Sequence, residues 1–204
     1  MLLSAAARLP VVLGVALLAG LSPAAAQDAG GLTSAFSNIA RPACHASGPR
    51  QPAEHETVTY RCRTSAGIEV AIAYLGTAVQ VTFSTGDIAV RPQLGAGYDV
   101  GDRIEWRGRR TAKGFVPQAG ILRLLSRNDD GKVVGVLAVV RVDRGAVCPA
   151  GWVDVAANPD ANVVARTLAD QVAAGFRCGR DKPVVAGPDT DLVKDIAARS
   201  PQSQ

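Results

Sequence analysis

Val133-Val134-Gly135-Val136-Leu137-Ala138-Val139-Val140-Arg141-Val142 is the stretch on which the fold turns. It does not alternate, so a strand formed here must be covered on both faces. Before it, Asn128-Asp129-Asp130-Gly131 places a glycine where a hairpin turn needs positive φ. A cover is legible downstream. Asn158 is an N-cap type, Pro159 suits the first helical position, and Asp160 suits the positive end of the helix dipole. Ala161, Val164, Leu168 and Val172 recur at helical spacing until Gly175, a residue suited to a left-handed stop. This predicts one capped helix near 158–174, preceded by a strand over Val147–Val155.

Upstream the period changes to two. Val58, Tyr60 and Cys62 alternate with Thr59, Arg61 and Arg63. Past Ser65-Ala66-Gly67, the residues Ile68, Val70, Ile72 and Tyr74 lie on one side, and past Gly76-Thr77 so do Val79, Val81 and Phe83. A turn at Thr85-Gly86-Asp87 leads to Ile88 and Val90. Short strands with glycine turns at this spacing form an antiparallel meander with one buried face. Residues 91–103, with Pro92, Gly95, Gly97 and Gly101, read as an irregular stretch, and Arg41–Glu54 reads as a loop. Ile104 and Trp106 alternate with Glu105 and Arg107, and Phe115–Leu125 is a further strand with Pro117 near its start. Leu32, Phe36 and Ile39 are at helical spacing and predict a short opening helix over 32–40; Leu192, Val193 and Ile196 predict a terminal helix over 191–199. The expected class is α+β: mainly antiparallel sheet, with barrel-like closure left open, one capped helix and short terminal helices. Residues 32–188 read as a single domain, followed by a short helix and polar tail at 189–204.

The first 26 residues read as a signal peptide: Arg8, an apolar run over Leu9–Leu21, and Ala24-Ala25-Ala26 before Gln27. The run is short of the roughly 20 residues that a spanning helix needs, so no membrane span is expected after processing. An excess of 22 Lys+Arg over 18 Asp+Glu, with no dense basic stripe, makes nucleic acid an unexpected partner. In an exported chain, Cys44, Cys62, Cys148 and Cys178 are expected to form two disulfides. Three connectivities are open; sequential pairing, Cys44–Cys62 and Cys148–Cys178, is favoured because it staples each half locally. No C-x-x-C occurs, and His45 and His55 read as solvent-exposed, so neither a structural metal nor a cofactor is expected.

No G-x-S-x-G elbow or phosphate-binding glycine pattern accompanies these features, and no catalytic residue is assigned. Asp99, Asp102 and Glu105 are the nearest carboxylate cluster, and their plain reading is solvated acids neutralising Arg103, Arg107, Arg109 and Arg110. Residues 94–110 combine Gly95, Gly97, Tyr98, Trp106 and Arg107, a composition that binding surfaces favour. The usual burial of aromatics supports a plainer reading, in which Tyr98 and Trp106 complete the core.

Val58-x-Tyr60-x-Cys62, the alternation through Phe83, and Gly95-x-Gly97-Tyr98 before Trp106 are similar to the membrane-bound C-type lysozyme inhibitor family, over Glu56–Arg110. That resemblance implies a small periplasmic or lipid-anchored β-barrel of Gram-negative bacteria, with the 94–98 segment entering the lysozyme cleft. Leu94 and Ala96 replace the family's serines, and tight lysozyme inhibition is not expected. Ile104-Glu105-Trp106-Arg107, Pro117-x-Ala119-x-Ile121, Cys148 through Trp152-Val153-Asp154, Ala157-Asn158-Pro159-Asp160-Ala161-Asn162 and Phe176-x-Cys178 resemble a group of uncharacterised exported proteins of Gram-negative bacteria, over roughly 102–183. The expected function is a periplasmic, non-enzymatic binding or interaction protein, its partner an envelope protein or a glycan. The alternatives are a carboxylate-dependent cell-wall hydrolase and a structural envelope factor without a discrete ligand.

Overall fold

A computed structural model describes residues 31–48, 57–85, 94–143 and 146–200. The expected leader at 1–26, His55, the residues expected to extend the meander at Ile88 and Val90, and the end of the expected polar tail lie outside the described residues. The strands are β1 (Thr33–Asn38), β2 (His45–Ser47), β3 (Val58–Arg63), β4 (Glu69–Leu75), β5 (Ala78–Ser84), β6 (Leu94–Ala96), β7 (Asp99–Thr111), β8 (Gly114–Arg127), β9 (Val133–Asp143), β10 (Ala146–Asp154) and β11 (Val184–Val185). Among the described residues two α-helices, α1 (Ala161–Gly175) and α2 (Asp191–Arg199), follow β10 and β11 in turn.

Two sheets form. One has the order β1-β7-β8-β9-β10-β11 and the other β2-β3-β4-β5-β6. All neighbours are antiparallel except β10 and β11. Val70, Ile72, Val81 and Phe83 of the five-stranded sheet pack against Ile104, Trp106, Leu122, Val136, Ala138 and Val140 of the six-stranded one. On the opposite face of β9, Leu137 and Val139 meet Ala165, Leu168, Ala169 and Val172 of α1. The stretch at 133–142 is thus the middle of three layers, covered by a sheet on one side and a helix on the other. Burial of each large apolar side chain there stabilises the fold by about 1.5 to 3 kcal/mol.

Both disulfides pair sequentially, Cys44 with Cys62 and Cys148 with Cys178. The second ties the segment after α1 to β10. Thr190 caps α2 by accepting a hydrogen bond from Val193 N, and α2 buries Val193 and Ile196 in the core between the sheets.

Several local expectations are corrected. The segment at 32–40 is strand β1, not a helix: six residues pair with β7 from Thr33↔Gly108 to Asn38↔Arg103. A helix of nine residues is marginal alone, and the exposed edge of β7 offers a complete ladder instead. The stretch at 91–103 is also more regular than its glycines suggest, since Leu94–Ala96 is β6 and β7 begins at Asp99. The sheets do not close into a barrel; among the described residues β1, β11, β2 and β6 are the edges. Helix α1 starts at Ala161 because Asn158 is already engaged, its Nδ2 donating to Asp154 O at 2.7 Å. Gly175 lies inside the helix without a left-handed φ, and the chain leaves extended through Phe176 toward the Cys178 bond.

Candidate functional site

The sandwich has two dissimilar ends. At one end the β3–β4 turn and the β7–β8 hairpin project past the core, and the sheets part around a cleft of about 620 Å³. Ala66 and Ile68 line it from the β3–β4 turn, Phe115, Val116, Pro117 and Gln118 from β8, and Val142 from β9.

A bulge in β8 creates this lining. Arg107 pairs with Ala119, but the next β7 residue, Gly108, pairs with Pro117, so Gln118 is the extra residue. One extra residue exchanges the two faces of a strand. Ala119 faces α1; beyond the bulge, Phe115 and Pro117 turn toward the other sheet, and Phe115 packs on the core between the sheets. Gly108 makes the bulge possible, because a Cβ there would lie 2.2 Å from Val116 O and 2.9 Å from Phe115 Cζ.

The same register places the cations of the hairpin. Cross-strand partners share a face. Arg110 pairs with Phe115 and shares the face that Phe115 presents to the other sheet; Arg109 pairs with Val116, which also borders the cleft but stands on the other face of the ladder, and Lys113 lies in the turn. All three are exposed. Among the described residues none of them is in an ion pair. Thr111 steadies the turn, its Oγ1 donating to Gly114 O at 2.9 Å and accepting from Lys113 N at 3.2 Å. Arg141 borders the cleft but directs Nη1 to Gln118 O and, at 2.9 Å, to Ala173 O of α1.

At the opposite end the protein's own side chains pair with one another. Tyr60 and Tyr74 meet edge to face at 5.7 Å, and the Arg41 guanidinium lies 4.2 Å above the Tyr74 ring. Arg41 pairs with Asp99 at 2.8 Å, and the Tyr74 hydroxyl donates to the other Asp99 oxygen. Burial, reinforced by that hydrogen bond, pushes the Tyr74 phenol up to about 12.

The residues singled out from sequence do not assemble into one surface. Trp106 is wholly buried, its Nε1 donating to Ser37 Oγ at 3.0 Å and its ring meeting Phe83 edge to face. Arg107 is 3% exposed and grips both Asp170 oxygens at 2.7 Å, with Nη1 on Ser34 Oγ. Gly95 and Gly97 serve internal contacts: a Cβ at Gly95 would lie 2.6 Å from Arg199 O, and one at Gly97 would lie 2.8 Å from Ser126 Oγ. Tyr98 alone is exposed, and the Arg127 guanidinium stacks on it at 4.1 Å. Leu94–Ala96 of this segment is a strand under α2 rather than a protruding loop, with Gly95 N donating to Ser200 Oγ.

Nor do the acids meet. Asp99 and Glu105 stand opposite Leu125 and Ile121, four residues apart on β8, which is about 13 Å of strand. Glycosidase pairs span about 5 to 9.5 Å. Glu105 accepts from Ser34 Oγ and from Arg166 Nε at 2.8 Å, while Asp102 is exposed. The expected arginine partners are therefore replaced by Arg41 and Arg166. His45 stands exposed opposite Arg61, and among the described residues no group of three metal-ligating side chains comes together.

Phe115 and Arg110 are the site residues that sequence reading missed. The basic run Arg109-Arg110-Thr111-Ala112-Lys113 beside a glycine was the available signal; only the register reveals which arginine faces the cleft. Comparison of the chain with protein-family models, curated proteins and solved structures finds no match.

Proposed function

We propose that this chain is an exported, non-enzymatic binding protein of the bacterial periplasm, and that its ligand occupies the cleft between the sheets at the open end. The cleft carries the reading. Its volume of about 620 Å³ lies among those of small-molecule sites, and its walls are mostly apolar with few polar groups, Thr85 and Gln118 among them. Two disulfides are what an oxidising compartment permits, and they support export together with the expected leader. Among the described residues no helix is long and apolar enough to cross a membrane.

Titration of the full chain with a neutral, environment-sensitive naphthylamine dye tests the cleft. One saturable site with blue-shifted emission is expected. Ala66→Trp, which adds bulk at a half-buried position of the β3–β4 turn, should weaken it at least about tenfold. Absence of saturable binding would overturn this reading in favour of a structural envelope factor. Intact mass of the exported protein tests the address; retention of residues 1–26 would refute cleavage near Ala26.

A further inference from the structure

We infer that the ligand of this cleft is a single-chain anionic amphiphile, a fatty-acid carboxylate, with its acyl chain between the sheets and its carboxylate on Arg110. The inference rests on the cleft being the binding site. Two features of the open end that have no need of each other in a merely stable fold occur together. One is an apolar gap with Phe115, Pro117, Ile68 and Val142 among its walls. The other is an exposed guanidinium, directly across the β7–β8 ladder from Phe115, that makes no ion pair among the described residues.

Charge complementarity selects the occupant. Among the described residues no Asp or Glu lines the cleft, and Arg109 and Lys113 add positive charge at the same hairpin. An uncharged apolar ligand would leave Arg110 unused, and a small inorganic anion would leave the apolar volume unfilled. A carboxylate joined to a flexible hydrocarbon uses both. A guanidinium presents a planar pair of N–H donors that matches the two carboxylate oxygens. The turn held by Thr111 keeps the hairpin in place before the ligand arrives, which lowers the entropy cost of binding.

Calorimetric titration of the full chain with hexanoate, octanoate, decanoate and dodecanoate, and with the matching primary alcohols, tests this. Affinity for the carboxylates should rise about fourfold per methylene until the cleft is full. The alcohols should bind about tenfold more weakly than the carboxylates. Arg110→Ala should remove that difference and leave alcohol binding unchanged. Arg109→Ala, on the other face of the hairpin, should change carboxylate affinity by less than about threefold. Equal affinity for acid and alcohol in the unmutated chain would overturn the inference while leaving the cleft as an apolar site. So would equal losses from Arg109→Ala and Arg110→Ala. Failure of both ligand series, together with failure of the neutral dye, would instead remove the cleft reading itself.

Discussion

At the closed end of the sandwich three groups satisfy one another within the chain: Arg41 pairs with Asp99, Asp99 with Tyr74, and Tyr74 with the Tyr60 ring. At the open end Arg110 stands beside Phe115 with no ion-pair partner among the described residues, over a gap of about 620 Å³. Satisfied groups serve the fold, and substituting them costs stability. Groups held in place but left unsatisfied contribute little to folding and are available for binding. The contrast separates two kinds of mutational outcome within one domain.

The largest expected effect concerns the wall behind the open end. β10 is held from the helix side by α1 and by Cys148–Cys178. Cys148→Ala with Cys178→Ala should lower unfolding free energy by about 3 to 4 kcal/mol in denaturant titration. A loss below about 1 kcal/mol would mean that α1 packing alone fixes this wall. Next is the bulge. Gly108→Ala forces a Cβ against Val116 O and should cost about 2 to 3 kcal/mol, with dye binding lost because Phe115 is displaced. Retained binding would break the link between bulge and cleft.

Tyr74→Phe addresses the closed end and should cost about 1 kcal/mol at neutral pH. Its pH dependence is the sharper readout. In the folded chain burial, and then the bond to Asp99, hold the phenol proton up to about 12, against an ordinary value of about 10. The folded state binds this proton more tightly, so its contribution is full below about pH 10 and is lost as pH rises through about 12. The difference in stability between the parent chain and Tyr74→Phe should therefore narrow across that interval; a constant difference would show that Tyr74 is not held in this way. The smallest effect belongs to Arg110→Ala, expected to change stability by less than about 0.5 kcal/mol. A larger loss would make Arg110 a structural residue and erase the contrast between the ends.

Much of the fold was legible because its signals are local. Alternation from Val58 to Phe83 marked three strands, Gly67, Gly76 and Gly131 adopt the positive φ that their turns require, and helix α2 runs over 191–199 as its spacing predicts. The double-sided cover of β9 followed from a run without alternation. Legibility failed at β1, where three apolar residues at helical spacing gave way to a ladder with β7, a partner about 70 residues away. It failed again at Gly95, Gly97, Trp106 and Arg107. A glycine for close approach and an arginine with an aromatic neighbour describe an interior as well as an interface, and the deciding partners, Arg199, Ser126, Ser37 and Asp170, lie on distant elements.

The sequence by itself determined the strands from Val58 to Phe83, the turns between them, the class of the fold and the covering of β9 on both faces, since periodicity and turn chemistry act over a few residues. It also favoured the pairing of the cysteines. Tertiary structure alone decided where one extra residue enters β8. That single shift turns Phe115 inward and places Arg110 rather than Arg109 beside it. A bulge is a property of two strands in register, and no single strand's sequence states which residue its partner will skip.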